Sequence, residues 1–265
     1  MKTRLIIAMV LILMLFLFAC KKKAEQVPNP EMAEQITTFA PLPSFKEVYS
    51  TLEQVQVKDI SAAVPATTYK TKQEDVRNAF SLGLLTADAV LAAKGRNKSK
   101  LSDISSQMMT LTSLLGLESE VNRLGDDMKT MIENDDWENL DKALDAHKEE
   151  VELKLWESEN FDNYTIMLMG GWVEAANRIA WLINQNYSAD RTKVLAQKGT
   201  FSHLLSNLKQ IETEYIVEQE AFSKAVTLTE ELKNLLDQDT DSTYTKEQIG
   251  EIVTKTDAIK AAFQE

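Results

Sequence analysis

Few side chains in this sequence have types and spacings that could do chemistry. Imidazole can come only from His147 and His203. Glu150 follows His147 at the third place, whereas a di-iron bundle needs Glu first and His three residues later, in two copies. Here the order is reversed and single, and His147 falls on an apolar helical seam, so a core histidine is the expectation. His203 adjoins Ser202 with no acid nearby in sequence, which leaves a hydrolase triad unsupported. Carboxylates cluster at Asp126-Asp127, Glu133-Asp135-Asp136, Glu149-Glu150-Glu152 and Glu157-Glu159, without the spacing and central glycine of a calcium loop; they read as solvated helix faces. No glycine-rich phosphate loop is present. The expectation is a non-enzymatic chain with no cofactor, no metal site and no catalytic set.

The arrangement that invites a closer look is polar groups set into apolar helices. Asp88 interrupts Leu84–Ala93, and Glu174, Asn177 and Arg178 interrupt the most apolar stretch downstream of the leader. Glu174 and Arg178 are four apart, on one helical face. If Asp88 meets Arg178 across a helix interface, the group is a satisfied core network. If it opens to a cleft beside Trp172 and Trp181, it could hold a small ligand.

The remaining candidate is Cys20, the only cysteine of the 265 residues. It closes a leader in which Lys2 and Arg4 precede an unbroken apolar run, Leu5 to Ala19. At about 15 residues the run suits a secretory signal and falls short of the roughly 20 a spanning helix needs. A single thiol has no disulfide to make. The ending Leu17-Phe18-Ala19-Cys20 resembles the lipobox of bacterial lipoproteins, in which cleavage makes the cysteine the first residue and lipid is attached to it. The resemblance covers residues 1–20 only. It implies acylation, palmitate included, on Cys20, and a membrane hold without a spanning helix, since two or more acyl chains anchor stably. An uncleaved anchor helix and an unmodified cysteine are the alternatives. Lys21, Lys22 and Lys23 would meet anionic headgroups. With Lys21 where an inner-membrane retention signal would carry Asp, the resemblance favours an outer-membrane site facing the periplasm.

Without residues 1–19 the formal charge falls from −12 to about −14. Such a body is repelled by nucleic acid and by anionic lipid. All five prolines, Pro28, Pro30, Pro41, Pro43 and Pro65, precede residue 66. Proline breaks helices, so the chain divides into a signal peptide (1–19), a lipidated tether (20–43) and one α-helical domain (44–265).

Within that domain the apolar residues recur every three or four positions, with no alternating strand pattern, which predicts an all-α bundle of about eight helices. A short helix over 44–64 carries Phe45, Val48, Leu52 and Val55. Helices follow over 72–94, closed by Gly95; over 99–115, closed by Gly116; through Val121, Leu124, Met128 and Met131 or Ile132; over 137–157, capped by Asp135 or Asp136; and over 163–186. The last is apolar on most sides, so it belongs at the centre, with Gly170 and Gly171 admitting a neighbouring backbone. After a shorter helix over 190–198, a stripe from Phe201 to Leu236 that includes Tyr215, interrupted at Glu218 and Thr229, predicts one long coiled-coil-like helix, paired with a final helix over 246–263. A tetratricopeptide-like repeat finds no support, because Trp, Gly, Tyr and Pro miss that repeat's spacing.

These readings lead to a membrane-anchored envelope lipoprotein that meets a protein partner and no nucleic acid. The alternative is a ligand-binding or transport-accessory lipoprotein with a pocket between the helices at 72–94 and 163–186.

Overall fold

A computed structural model describes residues 60–65, 74–157, 160–196, 199–239 and 241–264, all within one compact unit, Phe39–Glu265. The leader, Cys20, the tether and the Phe45–Val55 stretch lie outside the described residues. Every regular element among those described is helical. A 3-10 turn at Ile60–Ala63 precedes α1 (Asp75–Lys94), α2 (Lys98–Leu114), α3 (Glu118–Glu133), α4 (Trp137–Glu157) and α5 (Phe161–Gln185). Then come α6 (Ala189–Thr192) running into a second 3-10 turn (Lys193–Leu195), α7 (Thr200–Leu208), α8 (Glu214–Val217), α9 (Glu220–Leu236) and α10 (Lys246–Gln264).

The helices pack as a series, α4 on α3, α3 on α2, α2 on α1, α1 on α5, α5 on α10, α10 on α9, and α9 on α7, with α4 and α7 both returning to α5. That makes α5 the hub. From Thr165 to Ala180 every one of its residues is buried, as its apolar sequence requires. Its partner α1 is long and apolar enough to cross a membrane, yet lies inside the bundle with nearly all of its residues covered.

Two glycines explain how closely these helices approach. A Cβ on Gly83 of α1 would stand 2.7 Å from the Gly171 amide nitrogen and closer still to the Met167 carbonyl oxygen. A Cβ on Gly170 would collide with the Phe80 carbonyl in the same way. Backbone therefore packs on backbone, an approach any side chain would prevent. The pairings Phe80–Gly170 and Asp88–Arg178 show that α1 and α5 run in the same direction. α10 runs against both: Phe263 stacks on Phe80 with ring centroids 4.3 Å apart, Thr256 meets Asn177, and Tyr187, just past α5, donates to the Tyr244 carbonyl before α10.

Within the described residues the predicted boundaries hold with three exceptions, the first being that the helix expected over 190–198 is α6 and a 3-10 turn ending at Leu195. Gly95 is the C-cap of α1, but the left-handed residue that turns the chain is Arg96 (φ 49°), while Gly116 takes the positive φ after α2. Asp135, also left-handed, ends α3, and Asp136 caps α4 by accepting from Asn139. The larger difference is the Phe201–Leu236 stripe, which is three helices. Ile211 and Ile216 are both buried but five apart, and Phe222 comes six later. No continuous helix keeps that phase on one side, so the chain breaks at 209–213 and again at 218–219. The breaks turn Tyr215 outward, 61% exposed, and put Ile216 in the core. Only α9 pairs with α10 as the expected hairpin does.

Candidate functional site

The polar residues inside α1 and α5 converge on one another and on α10. Arg178 donates from Nε to Asp88 Oδ1 at 3.0 Å and from Nη2 to Asp88 Oδ2 at 3.4 Å, a two-pronged grip across the α1–α5 interface. Its Nη2 also donates to Glu174 Oε1, one turn back, and its Nη1 to Asn177 Oδ1 at 3.1 Å. Asn177 passes the chain to α10, donating from Nδ2 to Thr256 Oγ1 at 2.8 Å and Asp257 Oδ1 at 3.0 Å. Lys260 closes the circuit, with Nζ 3.1 Å from Glu174 Oε2 and 2.9 Å from Asp257 Oδ1. Asp88, Glu174 and Asn177 are at most 2% exposed, and Arg178 8%. Only the Asp257 edge is open to water.

Asp88 and Glu174 bring two carboxyls together in the dry interior beside Arg178, while Asp257, the third carboxyl, stands at the exposed edge with Lys260. The Asp88 carboxyl is accordingly pushed up to about 8. Burial is the main cause, the Glu174 charge adds to it, and Arg178 opposes both. Burial thus favours the protonated form of Asp88 around neutrality.

Sequence reasoning reached Asp88, Glu174, Asn177 and Arg178, which the structure brings together. It passed over Lys260 and Asp257, whose side chains stand at the flank of the α10 seam. The available signal was Thr256, a polar residue at a seam position between Ile252 and Ile259.

The other candidates fall elsewhere. His147 is buried in α4, its imidazole pulled down to about 4 by burial, and no protein group bonds its Nε2. Among the described residues no three His, Cys, Asp or Glu side chains come together as metal ligands would. Ser202 Oγ donates to Asp237 Oδ2 and the Gly199 amide to Asp237 Oδ1 at 3.1 Å, so Asp237 caps the start of α7. The acid near Ser202 thus comes from α9's end, and Ser202 spends its hydroxyl proton on that cap.

Trp172 is buried in the core, while Trp181 is half-buried at its edge. The α1–α5 interface beside the network is filled by the Gly83–Gly170 crossing and by apolar side chains. No protein-family model, curated protein or solved structure matches this chain.

Proposed function

We propose that the chain is a non-enzymatic helical lipoprotein of a bacterial cell envelope, anchored through lipid on Cys20, whose acidic body engages a protein partner. The observation that carries this reading is that the ionisable groups in the bundle centre satisfy one another: Arg178 and Lys260 are fully engaged by Asp88, Glu174, Asn177 and Asp257. What remains to act is the negatively charged outer surface. The pocket reading is weaker, since α1 and α5 touch backbone to backbone where that pocket would lie.

The test is native-membrane extraction followed by intact mass of the amino terminus and chemical crosslinking. The account expects a first residue at Cys20 carrying acyl mass, membrane release on Cys20→Ser substitution, and crosslinks to another envelope protein. A product beginning at Met1, an unmodified Cys20, or a protein with no crosslinked partner would overturn it.

A further inference from the structure

The two ends of the bundle differ. The described chain enters at Ile60, beside the start of α2, where Lys100 Nζ donates to the Val64 carbonyl. That is the end at which α1 and α5 finish. At the opposite end lie the starts of α1 and α5, the end of α10, and the short helix α8. Thr213, the residue before α8, donates to Asp162 in the first turn of α5, which fixes α8 there.

This far end carries apolar side chains that the core leaves uncovered. Tyr215 and Val217 are 61% and 39% exposed. They are presented by the two breaks that turn Ile216 inward, so their exposure is built into the fold. Around them the segment 212–220 holds Glu212, Glu214, Glu218 and Glu220, all exposed, and no basic residue. Burial raises the Tyr215 hydroxyl above its usual value, and the charges of Asp162 and Asp75, which extend the negative field, add to it.

An open groove of about 430 Å3 adjoins the patch, between the starts of α1 and α9 and Ala262 of α10. Of the cations on its wall, Arg77 is committed to Glu74 and to the Phe263 carbonyl, which leaves Lys224 as the one addition of positive charge.

We infer that this far end is a docking surface for a basic, amphipathic segment of another envelope protein, with Tyr215 and Val217 as its apolar anchors. The inference rests on the interaction reading above and names its surface. A Lys or Arg laid over the Tyr215 ring would meet the ring face and the surrounding carboxylates together. Tyrosine is among the residues that most often carry binding energy, and an acidic rim speeds encounter with a basic partner. An anionic membrane is repelled by the same charges.

The experiment places a photo-crosslinking phenylalanine analogue at Tyr215 or Val217 in the full, membrane-attached protein, with the same analogue at Gln185, exposed at the other end of the bundle, as comparison. Expected are crosslinks from 215 and 217 to one peptide of another protein, rich in Lys or Arg and in apolar residues. The yield should be at least tenfold above that from 185, and at least tenfold lower in the Glu214→Lys/Glu218→Lys variant, which should melt within a few degrees of the parent. Crosslinks from 215 to residues of the same chain, to a second copy, to lipid or to an acidic peptide would overturn the assignment. Partner crosslinks from 185 alone would overturn this surface and leave the interaction reading standing, whereas no protein crosslink from any position would remove both.

Discussion

Arg178 of α5 lies with its Nε 3.0 Å from Oδ1 of Asp88 on α1, and this contact ties the two most buried helices of the bundle across their interface. Neither residue is placed to meet solvent, and Arg178 offers its guanidinium to both Asp88 and Glu174. Replacing Arg178 by Met keeps most of the volume but leaves Asp88 and Glu174 facing each other with Lys260 alone. Removing one partner of a buried ion pair destabilises by about 3–5 kcal/mol. Thermal melting should therefore show a drop of many degrees for Arg178→Met; a loss of only a degree or two would mean that the pair contributes little.

The same network makes stability depend on pH, with a sign set by its extra proton. Asp88 titrates near 3.8 when unfolded and about 8 when folded, so the folded state holds a proton the unfolded state has lost. Its contribution is full below about pH 4 and declines as pH rises toward 8. His147 acts oppositely. With its pKa lowered from 6.5 to about 4, its contribution is full above pH 6.5 and is lost as pH falls through 4. The two slopes oppose each other between about 4 and 6.5, and Asp88 acts alone from 6.5 to 8. Melting temperatures recorded across that upper window should fall with rising pH. Asp88→Asn should flatten the fall, and His147→Met should extend it toward pH 4. A parent protein with a flat or rising profile from 6.5 to 8 would contradict the raised Asp88 carboxyl.

Gly83→Ala tests the backbone contact. The added methyl would meet the Met167 carbonyl and the Gly171 amide, both held in helix, so neither can yield cheaply. Overpacking of this kind costs about 1–3 kcal/mol or more. Gly250→Ala in α10, where a Cβ meets nothing within 4 Å, should instead be neutral or slightly stabilising. Paired denaturant melts of the two variants make the comparison, and equal effects would rule out the close crossing.

Much of this arrangement was legible from residues alone. The Gly170-Gly171 pair in a helix apolar on most sides signalled a close neighbour, and Asp88 and Arg178, each set into an apolar helix, signalled one another. Sequence could not show that Gly83 supplies the matching gap on α1, because one glycine on an apolar stripe does not reveal which backbone will fill it. Glu218 interrupted the stripe from Phe201 to Leu236 at the second break, but nothing in the spacing disclosed the first, at 209–213. Tyr215 fits a continuous stripe as well as Ile216 does, and only the packing of Ile211, Ile216 and Phe222 together decides which turns inward. Arg96 was hidden for a related reason: Gly95 beside it looked like the natural left-handed residue.

The central claim is that the interior charges serve only to satisfy one another while the surface meets the partner. It is tested most directly by the partner-crosslink yield of a variant whose interior charges are removed together, Asp88→Leu, Glu174→Met and Arg178→Met, with Lys260 still paired to Asp257. Replacing a whole buried ion network by apolar residues of similar volume is often neutral or stabilising. The account predicts a folded triple variant whose crosslink yield at Tyr215 stays within about twofold of the parent. A triple variant that melts like the parent yet loses its partner would place the function in the buried network and contradict the account.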